Sequence, residues 1–161
     1  MAKLLDIDGA RADDRVLVGA DAPAVVDEPA LYPLAFWRDQ RDALPGDAGV
    51  WVDVDVEPDA LADVLDAVPL LAISFPAFSD GRGLSLAVLL RSRYGYRGEI
   101  RAVGAVHEDV VHYMHRCGFD SFVLDEERNT DVALRALTEP RDTYQGSIRD
   151  PKPAFRRIAR A

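Results

Sequence analysis

The stretch from Leu70 to Tyr96, LLAISFPAFSDGRGLSLAVLLRSRYGY, constrains the fold more than any other part of the chain. Leu70 to Phe75 is an unbroken apolar run of strand length. The turn residues Pro76, Ser79, Asp80, Gly81 and Gly83 interrupt it before a helix opens near Leu84. A strand, a loop and a helix in that order make one step of an α/β domain. Leu84, Leu86, Val88, Leu89 and Leu90 spread around most of the helix, so it must be buried on several sides, which predicts a subunit interface and a homodimer.

The step recurs. Leu4 to Ile7 and Val16 to Val18 are short apolar pieces that suit a hairpin or a docked arm over residues 1–28. Ala30 to Leu34 reads as an edge strand, where Pro33 is tolerated, and Phe36, Trp37, Gln40 and Leu44 continue at helical spacing as far as Pro45. Gly49 to Val56 (GVWVDVDV) alternates, with valines on one face and Trp51, Asp53 and Asp55 on the other. Pro58 opens a short helix carrying Leu61, Val64, Leu65 and Val68. Glu99 to Val103 is a strand, His107 to Cys117 a helix closed by Gly118, and Phe119 to Leu124 the last strand. Asn129 or Thr130 caps a helix over Asp131 to Leu137 that Pro140 stops. The tail from Thr143 is an extended arm with Phe155 as its only large apolar anchor.

Five alternations of strand and helix predict an α/β fold of five βα units on a mainly parallel sheet over residues 29–140, with a C-terminal arm over 141–161. A flavodoxin-like open sheet is the expected form, because five units are too few to close a barrel alone. Half of a (βα)8 barrel is the alternative.

Charge and cysteine narrow the function classes. The chain has 161 residues and a net charge of −9, a balance that argues against nucleic-acid binding. The acids concentrate before residue 81; the second half, with 14 bases and 11 acids, suits a small anion better. No apolar run reaches the length of a membrane span and no signal peptide is visible, so a cytoplasmic location is expected. Cys117 is the single cysteine, which excludes an internal disulfide.

The loop after Phe75 is the candidate site. Ser79, Asp80, Gly81, Arg82, Gly83 and Ser85 would bind an oxyanion such as sulfate, sulfite or a phosphate group. The glycines allow close backbone approach, helix amides and Ser85 donate, and Arg82 supplies charge, with Arg101 reaching in from the next strand. In the plainer reading, Asp80 caps the helix and pairs with Arg82. Asp53 with Asp55, and Glu108 with His112 and His115, are weighed as metal ligands and read as solvated faces, so no metal is expected. Trp37 is read as a core anchor rather than a stacking platform, and Cys117 as a core thiol rather than a nucleophile. Nothing marks a flavin, haem or nicotinamide site, and no cofactor is expected.

The segment FPAFSDGRGLSLAVLLRSRYGYRGEIRAVG, followed by HRCGFDSFVL, by TYQ at Thr143 to Gln145 and by FRR at Phe155 to Arg157, resembles a bacterial family of unknown function over about residues 30–158. Genes of that family typically lie beside those for assimilatory sulfite reductase and phosphoadenylylsulfate reductase. The resemblance therefore implies a role in cytoplasmic sulfate assimilation as an accessory to sulfite reduction. The expected partner is sulfite reductase or another enzyme of that route. Some members carry an oxidoreductase label, which implies the alternative of a small enzyme or oxyanion carrier. The family supplies no catalytic residues, and His107, His112 and His115 depart from its usual residues at those positions.

Overall fold

The computed structural model describes residues 2–13, 15–21, 23–139 and 143–157. Eight strands are β1 (Lys3–Asp6), β2 (Gly9–Ala12), β3 (Val16–Leu17), β4 (Ala30–Pro33), β5 (Gly49–Asp53), β6 (Leu70–Phe75), β7 (Glu99–Gly104) and β8 (Ser121–Leu124). The α-helices are α1 (Leu34–Gln40), α2 (Arg82–Ser92), α3 (Val111–Cys117), α4 (Thr130–Thr138) and α5 (Ala154–Arg157).

All eight strands form one sheet in the order β2-β1-β8-β7-β6-β5-β4-β3. From β3 to β8 every neighbour is parallel and sequential, and only β1, between β2 and β8, runs against the rest. Successive crossovers of one hand that always step in the same direction put their helices on one face. That face carries the main core: Val50, Val52, Leu71, Ile73, Ile100 and Phe122 from the strands meet Trp37, Leu86, Leu90, Val111, Met114 and Ala133 from the helices. An open flavodoxin-like sheet reverses its strand order part way and is covered on both faces. This order never reverses, so the chain takes the alternative form, a curled half-barrel sheet.

The amount of curl follows from a short link. Across a flat sheet the outer edges of β2 and β3 would lie about 34 Å apart at the usual strand spacing. Yet Ala12 ends β2 and Val16 begins β3, a reach of at most about 14 Å. The edges must therefore approach one another. Two contacts on the face away from the helices show how the curl is held. Arg101 of β7, 3% exposed, donates to Asp13 just beyond β2 at 3.0 Å, and Trp51 of β5 donates its indole N–H to the Val18 carbonyl just beyond β3 at 2.8 Å. Arg101 also bonds Glu99 at 2.9 Å and Ser121 at 3.2 Å, so the buried cation is surrounded by acceptors. A small apolar cluster of Leu31, Leu70, Ala72 and Val103 fills the remainder of this face.

Several local expectations need correction. The hairpin partner of β1 is β2 rather than Val16 to Val18, because Asp6 accepts from the Asp8 N–H at 2.9 Å and Gly9 turns the chain at φ 139, closing a tight connection at once. Freed from that hairpin, Val16–Leu17 pairs with β4, which is consequently not an edge strand. The expected helix at Pro58 is a 3-10 turn (Pro58–Leu61) followed by irregular turns, although Leu61, Val64, Leu65 and Val68 are all buried as expected. Pro140, expected to stop the last helix, lies outside the described residues; α4 is capped by Asn129, whose side chain accepts from the Asp131 and Val132 amides. Neighbours within the chain account for much of the apolar circumference of α2: Leu86, Ala87 and Leu90 are buried, and Val88 lines a groove with α3 and the C-terminal segment.

If Asp13 latches the curl, Asp13→Ala lowers stability by about 1–3 kcal/mol in urea unfolding, as expected for a buried cation that loses one charged acceptor. Gly83 is a second test: a Cβ there would sit 2.6 Å from the Phe75 ring, so Gly83→Ala costs about 1–3 kcal/mol. Melting curves unchanged in both variants would contradict this account of the packing.

Candidate functional site

The loop between β6 and α2 stands at the carboxyl end of the parallel strands, where half-barrel folds hold their ligands. Ser79, Gly81, Arg82 and Ser85 are exposed there, while Gly83 is buried because its missing side chain lets α2 close on Phe75 and Val54. Asp80 decides the chemistry of the turn. Its carboxylate accepts from the Arg82 amide at 3.1 Å and from the guanidinium of Arg82 at 2.7 Å. Those bonds hold Asp80 below the ordinary carboxylate range and Arg82 above its usual value. The Leu84 and Ser85 amides bond the Gly81 carbonyl, so a carboxylate of the chain itself stands where an external anion was expected.

Arg101 is not part of that loop. It lies on the concave face, bonded to Glu99 at the amino end of β7 and to Asp13. Next to the loop, exposed Phe78 stacks on His107 with centroids 4.8 Å apart, and Arg128 reaches both His107 at 2.7 Å and Glu108 at 3.6 Å. The α3 histidines do not converge with Glu108 on a metal site. His115 turns its Nδ1 to the Phe119 carbonyl at 3.1 Å, and burial holds its pKa down. Among the described residues no group of three His, Cys, Asp or Glu side chains is placed to hold a metal ion. Cys117 is buried at the end of α3, beside the groove between that helix and the C-terminal segment, and burial pushes its thiol up. Trp37 is buried with Arg41 over its ring, in keeping with an anchor.

The most connected polar centre is at the opposite, amino end of the sheet, and the sequence reading missed it. Gly118, at φ 116, ends α3 and turns the chain so that Asp120 meets the start of β7. Asp120 accepts from the Ile100 amide at 2.8 Å, from Arg91 of α2 at 2.5 Å and from Arg149 of the C-terminal segment at 2.5 Å. Arg91 is further tied to the carbonyls of Gly118, Tyr96 and Gly98. Burial lowers the pKa of Arg91; Asp120 opposes that shift and Arg149 adds to it.

The segment that brings Arg149 is not a free arm. Ile148 donates its amide to Arg116, Arg116 donates back to the Gln145 carbonyl at 3.0 Å, and Arg149 also bonds Phe119 at 2.9 Å. Phe155, the expected anchor, is 59% exposed and merely touches Tyr144. The segment walls a half-open cavity of about 490 Å³ between itself, the end of α2 and Asp120, with Arg97 and Ser147 on its lining. A signal for this was present in the sequence: arginine is the side chain best able to bridge several carbonyls and a carboxylate at once, and the segment holds one four residues after Gln145.

Burial and the raised thiol pKa predict that native Cys117 reacts with a disulfide reagent at pH 8 at least about tenfold more slowly than the unfolded chain. Equal rates would place the thiol in solvent.

No curated protein matches the chain. The sequence profile of a bacterial family of unknown function, DUF934, matches residues 49–155, a narrower span at the N-terminal side than the motifs suggested. That span takes in both the DGRG loop and every residue around the cavity from Arg91 to Pro151, and the chain belongs to the DUF934 family of bacterial proteins of unknown function.

Proposed function

We propose that the chain is a non-catalytic accessory protein of sulfite reduction in cytoplasmic sulfate assimilation, acting by binding sulfite reductase or another enzyme of that route. The pathway rests on the family resemblance carried by the DGRG and RCGFD residues. The non-catalytic part is supported by one observation: charged side chains at the carboxyl end of the sheet are spent on one another, Arg82 on Asp80 and Arg128 on His107 and Glu108. Arginine stays protonated and is a poor proton-transfer group, and Arg82 and Arg128 are each held beside a carboxylate, so these pairs shape a surface. A partner has apolar side chains to meet, since Tyr113, Tyr144 and Phe155 are exposed beside a groove of about 550 Å³ between α2, α3 and the C-terminal segment. Self-association through exposed Leu89 of α2 belongs to the same reading, and sedimentation would detect it.

The alternative is a small enzyme or an oxyanion carrier acting on sulfite, sulfate or a phosphorylated sulfur metabolite. It is favoured by the guanidinium of Arg97, which no described residue engages.

The accessory reading predicts that tagged protein retains sulfite reductase from its own lysate and that reductase activity rises when the protein is added back. A strain lacking the gene should grow poorly on sulfate and normally on cysteine. No association, no effect on activity and normal growth on sulfate would together sink the proposal.

A further inference from the structure

Four features of the amino-end cavity bear on what it holds. Three guanidiniums line it, Arg91, Arg97 and Arg149, against the single carboxylate of Asp120. Asp120 is already divided between Arg91 and Arg149, one oxygen to each, so two positive charges are left over. The donor inventory points the same way. Arg149 spends Nε and Nη2 on the carbonyls of His115, Gly118 and Phe119 and on Asp120, which leaves both Nη1 hydrogens unused. Arg97 is exposed and has no partner among the described residues, and the Ser147 oxygen accepts from the Asp150 amide with its own hydrogen still to give.

We propose that this cavity binds a doubly charged tetrahedral oxyanion, a phosphate or sulfate group carried on a small organic molecule. Two excess guanidinium charges match a dianion. Arg149 Nη1, Arg97 and the Ser147 hydroxyl are donors of the kind that such oxygens take up. A volume of about 490 Å³ exceeds what the bare ion fills, and Ile148 and Pro151 offer an apolar wall to the body that bears it. Arg149 and Asp120 also border a second furrow, where Asp6, Asp8 and Glu99 outnumber the bases Arg11 and Arg149, so the excess of guanidiniums belongs to the first cavity. The inference does not rest on the partner proposed above: binding of an anion can hold while association with the reductase fails, and the reverse.

Calorimetric titration at low salt with inorganic phosphate, inorganic sulfate and phenyl phosphate tests it. Phenyl phosphate is expected to bind most tightly, and Arg97→Ala to weaken it roughly tenfold, the loss of one charge-assisted contact. Arg97 is exposed and has no partner among the described residues, so the variant should melt as the parent does. Arg97→Glu should abolish binding, and Arg82→Ala, which alters the loop at the opposite end of the sheet, should leave it unchanged. Bare ions binding as tightly as the ester would remove the organic body from the proposal. Absence of binding at millimolar concentration, or weakening by Arg82→Ala in place of Arg97→Ala, would overturn the site itself.

Discussion

A buried guanidinium with three acceptors holds this fold in shape. Arg101 sits in the middle of the sheet on the face that helices do not cover, where an isolated cation would be costly. Glu99 and Ser121 satisfy it from its own and the neighbouring strand, but Asp13 comes from beyond the far edge of the hairpin. That last contact is possible only because the sheet bends, and the bend is demanded independently by the short step from β2 to β3. Curl, strand order and buried charge are therefore one arrangement seen three ways. With fewer than eight βα units the sheet cannot be closed by repetition, and the N-terminal hairpin and β3 supply its outer edges.

The second organising group is Asp120. One carboxylate ties together the start of β7, the end of α2 and the C-terminal segment, through an amide and two arginines. The turn that places it needs a left-handed residue, and Gly118 provides one. The RCGFD run thus reads as a device for joining helix to strand while presenting a carboxylate to basic partners. In the DGRG run Asp80 and Arg82 close on each other, and Gly83 lets α2 approach Phe75. Both runs have complete structural explanations, so neither demonstrates chemistry by its presence.

Much of the architecture was legible because strand and helix periods are local properties. β6, β7 and α4 with its Asn129 cap follow the pattern of apolar and capping residues closely, and α3 ends at Gly118 as expected but begins at Val111 rather than His107, which leaves Glu108 in the preceding turn. The curl was not legible, since it depends on pairing between distant strands and on the short link between β2 and β3, and periodicity carries neither. The loop after β6 shows a different kind of miss. Anion-site residues and a self-capping turn share one composition, and a carboxylate two residues before an arginine has little chain to order before it reaches that partner. Arg149 was hidden for the opposite reason: its partner Asp120 lies 29 residues away, and a proline-rich tail reads as an arm until that pairing is known.

These placements reverse the usual polarity of a half-barrel. Parallel βα folds tend to keep reactive groups at the carboxyl ends of their strands and use the amino ends for stability. Here the arginines of the carboxyl-end loops, Arg82 and Arg128, are each paired with a carboxylate, whereas the amino end keeps unspent guanidinium donors around an open cavity. The cause is the C-terminal segment, which crosses that end and delivers Arg149 to a carboxylate already committed to Arg91. One acid cannot neutralise two bases, and the surplus charge is a consequence of how the chain is tied together. A negatively charged group entering there would meet donors that folding has already fixed in position, with little further ordering cost beyond the side chain of Arg97.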